Sequence, residues 1–409
     1  MKTTWLVTIT VTATACALAV LAACATDGET PTALADDAST PLPSAATGDA
    51  GGDAETGEDA SVCADDCEYY PNECTDDALC ESALFGGAVA TPETLDVRTH
   101  VQAIAARSPT DAWLVGTVGA AAHFDGTSWK RSATDTQYSY RALWLRGDAE
   151  ITFHDLKQLF TRGLDTDAGA PSAGGWSLFG SATIHPVWTS SNPSLRTSWA
   201  HAESTSLWLG VTAGLGTSRG GLWRLRQAAN GSFAVTPATL DKCGVNGTIP
   251  CAEVYGISGR SADEIWAVGP RGAAFRVTNA EADEPTLTGF ETDTLTALQA
   301  VWVAGTNDVW AVGASGTVRR WRGDPRLFET YNEVPTQQHL RAIAGSSPSD
   351  IWIAGDEGTV FHYDGTAWSR VKVAGLDGRR PHLEHIWVPS PGNVWIAGRG
   401  ALLSLGGKP

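Results

Sequence analysis

The chain has 409 residues, with 46 Asp or Glu against 28 Lys or Arg, 17 tryptophans, 44 glycines and a single methionine. The acidity is local: residues 25–82 hold 16 acids and no base, whereas residues 83–409 carry 30 acids and 27 bases. No Lys/Arg-rich run is present, which argues against a nucleic-acid partner, and sparse charge with abundant Trp and Gly favours short strands and tight turns over long surface helices.

Residues 1–23 read as a targeting segment. Lys2 precedes an apolar stretch, Trp5 to Ala22, that closes on Leu21-Ala22-Ala23-Cys24. This is a positive n-region, an apolar h-region and small residues before a cut; an uncleaved membrane anchor of similar length and an ordinary secretory signal are the alternatives. The Leu-Ala-Ala-Cys ending resembles a bacterial lipobox. That resemblance implies that Cys24 is diacylated and becomes the mature N-terminus. The membrane partner is then reached through acyl chains, each contributing about 0.8 kcal/mol per buried methylene. Ala25, standing where an inner-membrane retention signal would place Asp, implies the outer membrane.

Residues 24–60 contain almost no large apolar side chain. They cannot bury enough surface to offset the entropy of ordering, so an acidic, disordered tether is expected. Residues 61–82 follow with Cys63-x3-Cys67-x6-Cys74-x5-Cys80. In an exported chain this spacing predicts two local disulfides, with three pairings open; a zinc site would show two-residue cysteine gaps and often histidine. Cys243 and Cys251 are expected to close a small loop in the same way.

From residue 98 the chain is periodic. Leu340-Arg-Ala-Ile-Ala-Gly-Ser-Ser-Pro-Ser-Asp-Ile-Trp-Ile-Ala-Gly-Asp-Glu-Gly358 matches Val101-Gln-Ala-Ile-Ala-Ala-Arg-Ser-Pro-Thr-Asp-Ala-Trp-Leu-Val-Gly-Thr-Val-Gly119, and the frame recurs at 254–272, 298–316 and 383–398. Trp266, Trp310, Trp352 and Trp395 lie 44, 42 and 43 residues apart, after Trp113 in the first copy. Two degenerate copies open at Tyr140-Arg-Ala-Leu-Trp144 and Leu195-Arg-Thr-Ser-Trp199, giving seven. A period of this length with short strands predicts an all-β fold, a seven-bladed β-propeller of four-stranded blades over residues 83–409. Asp125-Gly126 and Asp364-Gly365 are expected to join the third and fourth strands by turns with both central residues at positive φ, and Gly355 and Gly358 to serve the preceding turn in the same way. The seventh copy ends before a fourth strand, so an N-terminal segment within 85–98 is expected to close the ring.

The repeat resembles the Asp-x-Trp-Ala-Val-Gly-x-x-Gly units of seven-bladed propellers of bacterial envelopes, related to assembly-factor-like and sialidase-like propellers. The sialidase Asp box is not met, because Asp125 and Gly126 are adjacent. The resemblance implies the fold and leaves the activity open.

No phosphate loop, Gly-x-Ser-x-Gly elbow or His-Glu-x-x-His is present. No catalytic residue, cofactor or metal site is assigned. His382 and His385 fall on opposite faces of a strand, and His123 and His362 occupy equivalent repeat positions, which points to structure. The recurring Asp111, Asp308 and Asp350 are expected to cap turn backbone. Six tryptophans fit the second-strand core, and Trp144, Trp199, Trp302 and Trp387 fit either interblade packing or an aromatic shelf for glycans. One repeated position varies in polar chemistry: Gln102, Arg141, Arg196, Tyr255, Gln299, Arg341 and Glu384. These are expected to ring one mouth of the axial channel, with the three arginines as a carboxylate contact. The function expected is non-catalytic binding or scaffolding at the cell envelope, toward a protein or glycan. A sialidase-like hydrolase or lyase and an envelope assembly factor are the alternatives. The insertions at about 162–192 and 212–221 are a further place for recognition.

Overall fold

The computed structural model describes residues 67–85, 91–164, 170–191, 193–212, 221–239 and 253–408. Cys24, Cys63, Cys243 and Cys251, the signal, the tether and residues 213–220 lie outside the described residues. Seven sheets, antiparallel but for one parallel edge pairing each in blades 3 and 7, follow one another in chain order as the blades of a propeller. Blade 1 is built from Val101–Ser108, Asp111–Gly116, Ala121–Phe124 and Trp129–Arg131. Blades 2 to 6 repeat this plan over 142–180, 194–237, 256–290, 298–330 and 340–370. Each second strand is buried along nearly its whole length, because it lies mid-blade between neighbouring blades; Ala112 to Gly116 and Val309 to Gly313 are apolar throughout, whereas blade 2 carries Glu150 and Thr152 there.

Blade 7 takes Leu383–Ser390, Asn393–Gly398 and Ala401–Leu405, and its fourth strand is Ala78–Glu81. Leu79 pairs opposite Leu405 and Cys80 opposite Ser404 in antiparallel register. The other edge of this strand pairs in parallel with Lys372–Ala374. The ring is therefore closed by an N-terminal strand, but the strand lies before the expected 85–98. A strand paired on both edges must offer N–H groups and apolar side chains to both faces. Ala78, Leu79 and Cys80 do so at 0, 0 and 3% exposure, whereas 91–98 carries Pro92 and polar neighbours. Leu84, Phe85 and Leu95 instead pack under blade 1 against Phe124, Trp129 and Trp395. Cys74 is joined to Cys80, so the loop leading into the closing strand is covalently shut.

Two turn expectations are corrected. Gly355 is extended, at φ −163°; its need for glycine is close approach, since a Cβ would lie 2.1 Å from the His339 carbonyl oxygen. The positive-φ pair is Glu357-Gly358, at 53° and 67°. In Asp364-Gly365 the glycine alone has positive φ. The aspartate caps the turn, its Oδ1 accepting the N–H groups of Thr366 and Ala367 at 2.8 and 2.9 Å. Bonds from the Thr366 hydroxyl and these amides hold its carboxyl at about 2.

Candidate functional site: the axial mouth

In blades 1, 3, 5, 6 and 7 the first strand pairs with the second on either side of one skipped residue. The skipped residues are Gln102, Arg196, Gln299, Arg341 and Glu384. A bulge of this kind leaves one residue outside the ladder and re-aims its side chain. Arg141 and Tyr255 stand immediately before the first strands of blades 2 and 4. All seven line one cavity of about 830 Å³ on the axis.

The mouth is electrostatically divided. On the side of blades 6, 7 and 1, Arg341 pairs through Nε and NH2 with both carboxylate oxygens of Asp356 and lies 3.5 Å from Glu384. Glu384 is 2.7 Å from the His100 ring nitrogen, and Asp356 also pairs with His382 at 2.8 Å. Burial pushes the Glu384 carboxyl up, but the His100 hydrogen bond and the surrounding cations outweigh it and hold the group at about 2. Burial lowers the neighbouring His385 imidazole to about 4, against the opposing pull of Glu384, so this ring is neutral near pH 7. On the side of blades 2 to 4, Arg141 and Arg196 are exposed and neither has a carboxylate partner among the described residues. The Arg196 guanidinium lies 5.0 Å from the Tyr255 ring centroid. The Tyr255 hydroxyl donates to Glu253 at 3.1 Å, and burial, then Glu253, raises its pKa. The expected three-arginine patch is thus two arginines, because Arg341 is already neutralised.

His100 and Glu253 also line the cavity and were not singled out from the sequence. They occupy the repeat position two residues before Gln102 and Tyr255, where Ser139, Ser194, Ala297, His339 and His382 stand in the other copies. That alternation of chemistry was the readable signal.

The other candidate residues fall into the blades. Trp144 is buried and Trp199, Trp302 and Trp387 are partly buried between blades, so they form no shelf. The recurring acids bond side chains rather than turn backbone. Asp111 meets His123 at 2.9 Å, Asp350 meets His362 at 2.8 Å, and Asp308 takes both ends of Arg320 at 2.8 and 3.0 Å. Each of these three partners lies over its blade's tryptophan, at 4.5, 4.2 and 4.3 Å. Glu150, the counterpart of Asp111 in blade 2, is buried between Arg107 and Arg162 at 2.8 and 3.0 Å. Among the described residues no group of three or more His, Cys, Asp or Glu is placed to hold a metal ion.

No protein-family model matches the chain, and no curated protein matches it. Solved structures share the fold. YCF48 from Cyanidioschyzon merolae superposes with a TM-score of 0.54 at 16% identity, over 77% of this chain and 97% of its own. YCF48 bound to a D1 peptide gives 0.52 at 15%, over 77% and 94%. A catalytically inactive virginiamycin B lyase from Staphylococcus aureus with quinupristin gives 0.53 at 11%, over 76% and 96%.

Proposed function

We propose that the chain is a non-catalytic binding or scaffold lipoprotein of the bacterial cell envelope, anchored through acylated Cys24 at the outer membrane, with the axial mouth as its recognition surface. The observation that carries this reading is the convergence of seven bulged or strand-leading polar residues on one cavity whose only uncompensated charges among those seven are Arg141 and Arg196. Guanidinium groups with no carboxylate partner among the described residues are available to a carboxylate of a protein partner, and a planar fork favours bidentate contact. That YCF48, with the same fold, has been solved with a bound peptide is consistent with a protein partner at a propeller of this kind.

The test uses the mature chain, residues 24–409, because Ala78–Glu81 closes the ring. It is captured from detergent-solubilised envelope as wild type and as Arg141→Ala/Arg196→Ala. The double variant is expected to keep its melting temperature and lose its partner at least tenfold; undiminished capture ends the proposal. Loss of acyl labelling in Cys24→Ala is the parallel check of the anchor.

A further inference from the structure

The charges of the axial mouth that lack an ionic partner fall on three consecutive blades. Arg141 precedes the first strand of blade 2, Arg196 is the bulged residue of blade 3, and Glu253 stands two residues before Tyr255 at the start of blade 4. All four line the cavity of about 830 Å³; the two arginines are exposed, and Glu253 and Tyr255 are half-buried. Tyr255 keeps the opposite charges apart. Its ring centroid lies 5.0 Å from the Arg196 guanidinium, while its hydroxyl donates to one carboxylate oxygen of Glu253 at 3.1 Å. Among the described residues no Lys, Arg or His pairs with Glu253. On the far side of the mouth, by contrast, Arg341, Asp356, Glu384 and His100 close on one another. The open part of the mouth therefore offers two positive charges and, beside them, one negative charge.

We infer that the partner segment recognised here carries an acid–base pair: a carboxylate held by Arg141 and Arg196, with a lysine or arginine next to it that Glu253 receives. This rests on the reading that the two arginines take a partner's carboxylate, and it adds what must stand beside that carboxylate. A purely acidic segment would set a second carboxylate against Glu253, and like charges brought together across an interface are costly. A lone carboxylate would cover Glu253 without pairing it, stripping water from a charge with nothing in return. A cation meets it without displacing Tyr255, because a carboxylate has two oxygens and the phenol occupies one. The sequence of charges also sets how the segment lies, with its acid over blades 2 and 3 and its base over blade 4. In an extended segment, side chains two residues apart share a face, so Glu-x-Lys or Lys-x-Glu supplies the pair.

The test is a set of ligand-observed NMR titrations of the mature chain at low ionic strength. The probes are blocked tripeptides: Glu-Gly-Lys and Lys-Gly-Glu, the acid-only Glu-Gly-Gln, and the doubly acidic Glu-Gly-Glu. In the wild type at least one acid–base peptide binds at least threefold more tightly than the acid-only peptide, and the doubly acidic peptide binds more weakly than both. Glu253→Gln, whose amide oxygen still accepts from the Tyr255 hydroxyl, keeps its melting temperature and abolishes the preference. Glu253→Lys inverts it in favour of the doubly acidic peptide. Equal affinities in the wild type, tightest binding of the doubly acidic peptide there, or a preference that survives Glu253→Gln overturns the inference. If Arg141→Ala/Arg196→Ala still weakens every peptide in those cases, the carboxylate reading stands without it. Peptides that bind this double variant as well as the wild type, or that bind neither, overturn both.

Discussion

His385 and Glu384, adjacent on the first strand of blade 7, answer acid in different windows because their surroundings differ. The imidazole is lowered from 6.5 to about 4 by burial. Its folded-state value lies below its unfolded value, so it contributes stability above pH 6.5 that is lost as pH falls toward 4. The Glu384 carboxyl is lowered from 4.5 to about 2, so its contribution is lost only between those values. The urea midpoint is therefore expected to fall from pH 6.5 to 4 and again below 4.5. In His385→Gln the first decline should flatten while the second remains; an unaltered profile in that variant would show that His385 does not titrate this way. The presence of both groups on one strand was plain from the sequence. Their states were not, since they depend on His100, Arg341 and burial contributed by other blades.

Between blades, a large residue on one first strand meets a small one on the next. Trp144 shares a cluster with Ala200, and Trp387 shares one with Ala106. A Cβ added to Gly259 or Gly345 would lie 2.8 Å from Trp199 or Trp302 respectively. Where the first position is small, as at Ala105, Ser258 and Ala344, the next blade carries Leu145, Val303 and Val388. Shape matching of this kind makes paired substitutions non-additive. Ala106→Leu is expected to cost about 1–3 kcal/mol by overpacking, and Trp387→Ala about 3–5 kcal/mol by leaving a cavity. The double variant should lose clearly less than their sum in urea denaturation, whereas strict additivity would refute the pairing. The tryptophan spacing together with the first-strand openings at Tyr140 and Leu195 made the blade count legible, because a period-two strand with a fixed Asp-x-Trp-x-x-Gly frame has few other solutions. The bulges at Gln102, Arg196, Gln299, Arg341 and Glu384 were not legible: an extra residue in a ladder is defined only against its partner strand. The four first-strand tryptophans were ambiguous for a related reason, since their small counterparts lie in the next copy of the repeat.

For the whole molecule the decisive element is the closing strand. Its four residues sit in a segment whose cysteines and acids suggested a separate knot, and that composition masked the apolar Ala78-Leu79-Cys80. Leu79 is fully buried against blade 7, with Leu376, Leu383 and Leu403 in the same cluster. Leu79→Ala is expected to cost about 2–5 kcal/mol, read as a lowered thermal midpoint, while Glu93→Ala, in the exposed stretch after it, stays within about 0.5 kcal/mol. Equal effects would place the closure elsewhere. The chain thus enters its ring through the last piece that shuts it, and this gives the molecule a mechanical character. A pull applied on the N-terminal side of Cys74 does not peel Ala78 away first. The Cys74–Cys80 bond carries the load past residues 75–79 into Cys80, which is held between Ser404 on one edge and Ala374 on the other. Antiparallel ladder bonds run perpendicular to the strands, so tension along the closing strand loads them in shear, several at once, and the seam resists as a clasp under strain.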